Sequence, residues 1–579
     1  MPHDLVIRGG LVVDGSGRPP RPADVAVDGD RIVAVADRSG SGAGSRVGRG
    51  RREIDATDLA VLPGFVDIHT HYDGQATWDP EVSPSSWHGV TTVVMGNCGV
   101  GFAPAHPARR DWLVGLMEGV EDIPGTALTE GMTWRWETFP EYLDELDRLP
   151  RALDVSALVP HGAVRAYVMG DRGAANAPAT ADDIAAMAAI VRDAIAAGAV
   201  GFSTTRTVLH RARGGELAAG TTAGIDELVG IGAALATGDR RVLQLTSDFV
   251  DPDAELDWMA AVARATGCVV TFALGPDHQR PDLWRRLLDG AAARRAAGAR
   301  LVPQVGGRPT SVLFGLESSA NPFMLSAAWA EIAELPVTEK VARMRQPEVR
   351  AAFLAERPED EAVAAFMADA WARIFPLGDP PDYEPAPERS VAARAARERR
   401  SPEEVTYDLL LEQDGRALLY MPLDGYATGD LSVLHTLLSD PGVVWGLSDG
   451  GAHCGMLCDA GVPTYVLAHW VRDRSRGDRL PLELAVNLLT WRSAELFGFH
   501  DRGLVAPGHL ADLVVVDLDR VDVSAPEVVA DLPAGGRRIV QRARGYVATV
   551  KRGVVVREHD EPTGALPGRL VRGPQPVPG

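Results

Sequence analysis

Two histidines one residue apart end an apolar run, GFVDIHTH, near the N-terminus of the chain. On an extended strand, residues i and i+2 point to the same face, so the imidazoles of His69 and His71 can reach one metal ion. Cys98, His161 and Asp449 end three later apolar runs and add a thiol, a third imidazole and a carboxylate. These side chains carry the ligand groups that zinc binds in proteins. The pattern therefore predicts a metal centre with His69, His71, Cys98 and Asp449 as its candidate ligands.

A metal centre of this kind predicts hydrolysis by activated water. A bound divalent ion lowers the pKa of a water molecule towards about 7 and polarises a carbonyl group. We expect Asp449 to accept the water's proton and to pass it to the leaving amine. His161 is expected to donate a hydrogen bond to the oxyanion that forms.

Eight apolar β-type runs recur through the centre of the chain, with helical periodicity in the stretches between them. Eight such units close into a barrel whose chemistry lies at the carboxyl ends of the strands. One helix has a readable start at Thr180 and a readable stop at Gly198. The predicted fold class is α/β, a (β/α)₈ TIM-type barrel. The runs are GFVDIHTH, GVTTVVMGNC, LDVSALVPH, GAVGFSTTR, RRVLQLTSD, GCVVTFALG, ARLVPQVGG and GVVWGLSDGG.

Both ends of the chain show β-hairpin patterns, as in DLVIRGGLVVDG and YVATVKRGVVVRE. We expect them to form one small β-sandwich domain, with residues 1–62 and 501–579 contributing. Residues 63–500 would form the barrel, with an insertion at about 318–438 that includes a charged helical part. The Gly- and Ser-rich stretch 39–52 is predicted to be a loop, and the last residues are predicted to form an extended tail.

The net charge of -21 at pH 7 argues against nucleic acid or an anionic membrane surface as a partner. No run is apolar for long enough to span a bilayer, and no signal peptide is visible. Four cysteines in 579 residues cannot form a disulfide framework, which favours the reducing cytoplasm. The expected partner is a small-molecule substrate. The sequence leaves a homo-oligomer open.

Four segments carry a resemblance to a known family. PGFVDIHTHYD resembles the first-strand signature of the amidohydrolase superfamily, and GVTTVVMGNCGVGFAP resembles its N-acyl-D-amino-acid deacylase (D-aminoacylase) branch. WGLSDGG resembles the segment with the catalytic aspartate, and DRGLVAPGHLADLVVVD resembles the C-terminal β return. The resemblance implies that Cys98 is a zinc ligand and that the protein hydrolyses a linear amide such as an N-acyl-D-amino acid.

The chain departs from that family at two strands. The resemblance implies a metal-binding histidine on the fifth strand and another on the sixth, but VLQLTSD and VVTFALG contain none. Amide and hydroxyl groups such as those of Gln244 and Thr246 are poor zinc ligands. The candidate ligands that remain suit one Zn²⁺ rather than two; they are His69, His71, Cys98 and Asp449. In the loop after Asp449, His453 is expected to contact substrate, while Cys454 and Cys458 either pack as small apolar groups or complete the ligand shell.

An N-acyl amino acid carries a carboxylate that a fixed cation must hold. Arg308, after the seventh run, is the first candidate, and Arg206, after the fourth, is the second. Each is equally well explained as a partner in a salt bridge at the rim. Tyr72, beside the histidine pair, is expected to line the pocket.

Two other functions stay open at this point. The first is ring-opening hydrolysis of a cyclic amide or imide, although the relatives with that activity use a strand-four lysine that GFSTTR lacks. The second is a degenerate barrel that has lost its metal and serves as a binding or scaffold protein. The absent histidines favour the scaffold, whereas the presence of all four remaining ligands opposes it.

Overall fold

The computed structural model describes residues 1–38, 47–236, 241–356 and 360–579. Most of the loop predicted at 39–52 therefore lies outside the described residues. In chain order the strands are β1 (His3–Val12), β2 (Arg21–Asp28), β3 (Arg31–Asp37), β4 (Gly50–Asp55), β5 (Ala60–Pro63), β6 (Phe65–Asp67), β7 (Val90–Met95), β8 (Asp154–Pro160), β9 (Gly201–Arg206), β10 (Val242–Ser247), β11 (Val269–Ala273), β12 (Leu301–Val305), β13 (Ser311–Phe314), β14 (Phe375–Pro376), β15 (Leu419–Pro422), β16 (Val444–Trp445), β17 (Leu513–Val516), β18 (Asp522–Val523), β19 (Glu527–Leu532), β20 (Gly536–Val540), β21 (Ala543–Arg544), β22 (Tyr546–Lys551), β23 (Val554–Glu558) and β24 (Glu561–Pro562).

The α-helices alternate with the central strands and then fill the insertion. In chain order they are α1 (Arg110–Glu121), α2 (Gly125–Gly131), α3 (Phe139–Arg148), α4 (His161–Met169), α5 (Asp171–Ala174), α6 (Ala181–Ala197), α7 (Ile225–Gly232), α8 (Pro252–Thr266), α9 (Leu283–Ala296), α10 (Ala327–Ala330), α11 (Val337–Met344), α12 (Pro347–Ala355), α13 (Glu361–Ala370), α14 (Val391–Glu398), α15 (Pro402–Leu410), α16 (Ser432–Ser439), α17 (Val462–Tyr465), α18 (Leu482–Asn487) and α19 (Ser493–Leu496).

Eight parallel strands form the central sheet in the order β16-β12-β11-β10-β9-β8-β7-β6. Each coincides with one of the eight predicted apolar runs. β7 and β8 are buried along their whole length, as expected of parallel strands covered on both faces. The sheet closes beyond β6 and β16, where Thr70 pairs with Gly450 and the His71 N–H donates to the Gly450 carbonyl over 2.8 Å. The predicted α/β barrel is confirmed, and it closes at the segments that carry the candidate ligands.

Local sequence explains much of the helical layer. α6 starts at a capping box between Thr180 and Asp183 and ends where Gly198 adopts a left-handed φ of 114°, as predicted. The connection from β6 to β7, all of whose residues the structure describes, differs from the expected strand–helix unit. It contains 3₁₀ turns at Gln75–Thr77 and Ser85–His88 in place of an α-helix. This leaves the backbone after β6 free to carry the histidine pair.

Strands from both chain ends form one nine-stranded sheet. Its order is β24-β23-β22-β17-β5-β1-β2-β3, with β4 beside β1. β5 runs antiparallel to β17, with Val61 opposite Val515, and the strands share a hydrophobic cluster separate from that of the barrel. The predicted β unit made from both ends is confirmed. It is one continuous sheet. The residue boundaries assigned to the domains remain a prediction.

A buried ion cluster fixes this sheet to the amino-terminal end of the barrel. Asp154, the first residue of β8, contacts Lys551 at 2.9 Å, Arg502 at 2.7 Å and Arg552 at 3.0 Å. Burial alone would raise the pKa of Asp154, but the three cations hold it well below its usual range. Because β8 carries its chemistry at the opposite end, this cluster stabilises the architecture and stays away from the site.

The insertion between β12 and β16 has its own core. A three-stranded antiparallel sheet, β13-β15-β14, packs with α10–α15 around a separate hydrophobic cluster. Phe323, Phe353 and Tyr407 form its aromatic centre, with ring centroids 5.4–5.9 Å apart. The charged helical part predicted here corresponds to α14 and α15.

The C-terminal tail is extended and lies across the barrel instead of fraying. Leu570 and Val571 are buried. Backbone N–H groups of the tail donate hydrogen bonds to backbone carbonyls elsewhere: Gly568 to Arg151, Val571 to Val155, Gly573 to Gly198 and Gln575 to Gly498.

Among the described residues, no helix combines the length and the apolar character needed to cross a bilayer.

Candidate metal centre

Four sequence-predicted ligands converge at the carboxyl end of the barrel. Cys98 Sγ lies 3.3 Å from His69 Nε2, and Asp449 Oδ1 lies 3.4 Å from the same nitrogen. Asp449 Oδ1 also lies 3.6 Å from His71 Nε2. Ligand atoms of His69, His71 and Cys98 all lie within 4.8 Å of one another, and the three residues are buried. The two histidines follow β6, Cys98 follows β7 and Asp449 follows β16.

These separations fit a tetrahedral zinc site. Zn–N and Zn–O bonds of about 2.1 Å and Zn–S bonds of about 2.3 Å place tetrahedral ligand atoms roughly 3.4–3.6 Å apart. The observed distances of 3.3, 3.4 and 3.6 Å lie close to that range. The donor set of two imidazoles, a thiolate and a carboxylate also has the chemistry that zinc prefers. The residues present therefore fit a single zinc ion.

The backbone around the ligands adopts conformations that L-residues rarely take. Cys98, Leu447, Asp449 and His453 have φ values between 46° and 60°. Such conformations persist where the surrounding structure enforces them, and they concentrate at functional sites. Here they turn Cys98 and Asp449 inward from the ends of β7 and β16.

Two glutamines hold the ligands in place. Gln304 Oε1, on β12, lies 2.8 Å from His69 Nδ1, which leaves His69 Nε2 facing Cys98 and Asp449. Gln244 Oε1, on β10, accepts a hydrogen bond from the Cys98 backbone N–H over 2.7 Å. The strand-five residue that stands in place of the expected histidine thus binds the backbone of the candidate ligand Cys98.

The four groups are electrostatically coupled. Burial alone would lower the pKa of His69, but Cys98 and Asp449 outweigh it and raise the pKa to about 9. Burial alone would raise the pKa of the Cys98 thiol and of Asp449, but the two imidazoles hold both below their usual values. The site therefore favours anionic sulfur and oxygen facing positive charge, which a divalent cation would supply.

The structure adds Glu121, which no motif indicated. It is the last residue of α1 and is 1% exposed. Glu121 Oε1 lies 3.2 Å from His71 Nδ1, and Glu121 Oε2 lies 3.6 Å from His453 Nε2. Gln304 could have been found, because it ends a barrel run as the ligands do. Glu121 sits on a helix, where sequence spacing gives no such signal.

His161 is placed differently from the expectation that it donates to substrate. It is fully buried, with Nδ1 2.9 Å from Thr204 Oγ1 and Nε2 2.9 Å from Glu227 Oε1. Glu227 also binds the Arg165 guanidinium. Because both ring nitrogens already have partners, the geometry gives His161 a structural role in place of the catalytic one.

The two arginines expected to bind a substrate carboxylate are also engaged elsewhere. Arg308 is 3% exposed, and its Nη2 lies 2.6 Å from Asp459 Oδ1, with further hydrogen bonds to Gln541 and to the Cys458 carbonyl. Arg206 Nε donates to both oxygens of Glu255 over 2.9 Å. The salt-bridge explanation therefore replaces the substrate-binding one for both residues.

The remaining candidates flank the Asp449 loop. Tyr72 is fully buried; its hydroxyl pairs with Ser85 over 2.7 Å, and its ring packs against Gly450 and Gly451. It supports the loop and does not line an open pocket. His453 keeps a side chain that is 22% exposed.

The loop cysteines and a serine motif have simpler roles. Burial raises the pKa of Cys454 to about 12 and that of Cys458 to about 11, as expected of small apolar groups. Residues 446–450 also match the G-x-S-x-G pattern of serine hydrolases. Ser448, however, is fully buried and donates its hydroxyl to Asp67, so it is not placed to attack a substrate.

Comparisons with known proteins find relatives over almost the whole chain. A model of the amidohydrolase family matches residues 52–557. The D-aminoacylase of Alcaligenes xylosoxydans xylosoxydans is 28% identical over 578 residues, which cover 98% of each chain. A crystal structure of N-acyl-D-glutamate deacylase from Bordetella bronchiseptica, complexed with zinc and a phosphonate inhibitor, is 25% identical and has a TM-score of 0.63. That match covers 99% of this chain and 100% of the other.

A structure of D-aminoacylase bears on the number of ions. It is 26% identical, has a TM-score of 0.62 and covers 98% of this chain and 100% of its own. That enzyme has a binuclear metal centre, with one-metal activation and second-metal attenuation. Together, the family model and these relatives confirm the resemblance that the four sequence segments carry.

Proposed function

The chain belongs to the amidohydrolase family, and we propose that it hydrolyses the amide bond of N-acyl amino acids of the D-series. The observation that carries the proposal is the convergence of four side chains: Cys98 Sγ and Asp449 Oδ1 lie 3.3 and 3.4 Å from His69 Nε2, and Asp449 Oδ1 lies 3.6 Å from His71 Nε2. The similar D-aminoacylase and N-acyl-D-glutamate deacylase support the choice of a linear amide and of the D-series.

We assign the cofactor as one Zn²⁺, held by His69, His71 and Cys98; Asp449 would either complete the ligand shell or stay outside it and leave that position for water. When bound, the ion would polarise the amide carbonyl and make a water molecule acidic enough to ionise near neutral pH. A second ion is not assigned, because β10 and β11 contain no histidine and Gln244 is used to hold Cys98.

Asp449 moves the proton. Its low pKa keeps it a carboxylate at neutral pH, so it can accept a proton from the attacking water as the oxygen bonds to the carbonyl carbon. The same carboxyl then gives that proton to the amide nitrogen as the C–N bond breaks. The products are a carboxylic acid and a free amino acid. His453, with its partly exposed imidazole, remains our candidate for contact with substrate.

The two other functions are not favoured. Opening of a cyclic amide would draw on relatives that use a strand-four lysine, and β9 reads GFSTTR. A scaffold protein has no physical need for two imidazoles and a thiol that approach one another in a buried site, with the Asp449 carboxylate beside the imidazoles.

We also propose a reducing, cytoplasmic location. All four cysteines are free and buried, although Cys454 and Cys458 are only four residues apart. A small amide is the proposed partner, and a homo-oligomer stays a prediction.

The substrate class is tested with purified, zinc-loaded protein and a panel of N-acetyl-D-, N-acetyl-L- and cyclic amides. We expect release of amino acid from the D-compounds, at rates at least tenfold above those for the L-compounds. Preference for a cyclic amide, or no hydrolysis of any compound at one zinc per chain, would refute the proposal.

Asp449→Asn tests the proton transfer. We expect kcat to fall by about 10²–10⁴-fold, since general acid–base catalysis contributes that much, while the variant still copurifies with zinc. Asp182→Asn, an exposed site on α6, is the control and should match the wild type. Unchanged turnover in Asp449→Asn would remove Asp449 from this role.

A further inference from the structure

Glu121 is a buried carboxylate without the hydrogen bonds that buried carboxylates normally have. Among the described residues, neither of its oxygens has a hydrogen-bond partner, and His71 Nδ1 has none either. Burying an ionised carboxylate costs several kcal/mol unless other groups compensate it. The compensating groups are His71 Nδ1 at 3.2 Å and His453 Nε2 at 3.6 Å. The pairing with His71 therefore has an energetic reason.

The two nitrogens of His71 face different groups. Nε2 lies 3.6 Å from Asp449 Oδ1, on the side where the four ligand atoms meet, whereas Nδ1 faces Glu121. A neutral imidazole carries one proton, and a metal binds the nitrogen without it. A carboxylate opposite Nδ1 favours the proton there and leaves the Nε2 lone pair for the ion.

The end of α1 is anchored at this point. Asp122, the residue that follows the helix, has a left-handed φ of 50°, and its carboxylate accepts hydrogen bonds from Ser319 and from the Gly455 N–H. The His453 N–H donates to the Glu121 carbonyl. These bonds tie α1 to the loop that follows Asp449 and fix Glu121 relative to His71.

We propose that Glu121 is a positioning residue for the metal centre, which fixes the tautomer and orientation of His71 and so raises the affinity for the ion. His69 has an uncharged counterpart in Gln304, at 2.8 Å. Glu121 places a carboxyl group beside His71 where Gln304 places an amide beside His69. The proposal rests on the metal site of the proposed function, but its test does not depend on turnover.

The test compares Glu121→Ala and Glu121→Gln with the wild type by titrating zinc against a chromophoric chelator. Loss of a group that orients a metal-bound histidine costs about 10–100-fold in affinity. We expect Glu121→Ala to raise the zinc Kd by that factor, and Glu121→Gln, which retains an oxygen near Nδ1, to raise it less. Glu130→Gln, at an exposed glutamate on α2, is the control and should leave the Kd unchanged.

Two further measurements separate positioning from a general structural role. With Co²⁺ in place of zinc, Glu121→Ala should shift the visible absorption bands, while thermal unfolding of the metal-free Glu121→Gln variant should match the wild type. A zinc Kd within twofold of the wild type in both variants would overturn the proposal. If Glu121→Ala fails to fold, the Kd of Glu121→Gln alone decides. Failure of amide hydrolysis with weakened zinc binding would overturn the proposed function and leave this inference standing.

Discussion

At the scale of single residues, the buried charges near the barrel mouth divide into two groups. One group, with His69, His71 and Asp449, presents its polar atoms to a common point. The other is neutralised internally, as Arg308 and Asp459 show at 2.6 Å. Residue type and position along the chain are similar in both groups, so only the partners reveal which side chains are available for chemistry.

Arg308→Met should reduce stability and leave substrate binding intact. It leaves the Asp459 carboxylate buried without its cation, which costs about 3–5 kcal/mol of the free energy of unfolding. Urea denaturation followed by circular dichroism measures this loss, and KM for an N-acyl amino acid should not change. The double variant Arg308→Met with Asp459→Leu should recover much of the loss. A raised KM at unchanged stability would return Arg308 to substrate binding.

The sequence predicts the four side chains that converge at the barrel mouth but not the residues that contact them. Strand-end position and ligand chemistry together select His69, His71, Cys98 and Asp449. The same rule also selected His161, whose nitrogens are in fact occupied by Thr204 and Glu227. Which strand-end groups pair with each other depends on side-chain contacts between distant segments, and periodicity contains no information on these.

At the scale of elements, one carboxylate joins the insertion to the helical segment after the Asp449 loop. Glu384 is 3% exposed and accepts hydrogen bonds from Arg474 at 3.1 Å, with His469 Nε2 2.9 Å away. Burial alone would raise its pKa, but these partners outweigh burial and lower the pKa from 4.5 to about 2. The bridge therefore depends on the ionised form of Glu384.

Acid should weaken this bridge in a defined pH window. A carboxyl with a depressed folded-state pKa contributes stability above its unfolded pKa of 4.5, and loses it as the pH falls towards about 2. The shift corresponds to about 3 kcal/mol. Urea midpoints at pH 7, 4 and 3 should show the gap between the wild type and Glu384→Gln narrowing below pH 4.5. A constant gap would contradict the assignment.

Elements were predicted where local sequence determines them. The eight barrel strands and α6 follow from apolar runs and caps. The sheet β13-β15-β14 was not predicted, because its pairings join residues far apart in the chain and β14 is only two residues long. The replacement of an α-helix by 3₁₀ turns between β6 and β7 was not predicted either.

At the scale of the whole molecule, the tail is part of the fold. Deletion of residues 566–579 removes Leu570 and Val571 from the core and exposes the edge that they cover. Burial of two such side chains contributes about 3–6 kcal/mol, so the melting temperature should fall clearly by differential scanning calorimetry. Deletion of 577–579 alone, where Val577 is 73% exposed, should have little effect. Equal melting of both truncated proteins would show that the tail adds no stability.

The nine-stranded sheet has a consequence for how the protein is made. β5 can pair with β17 only after the whole barrel has left the ribosome, because β17 follows the barrel in the chain. The same holds for the outer strands β22 to β24. During translation the first strands have an unpaired edge and an exposed apolar face, and both features promote aggregation. Synthesis of β17 and of β22 to β24, rather than folding of the first residues, is therefore the event that closes this half of the molecule.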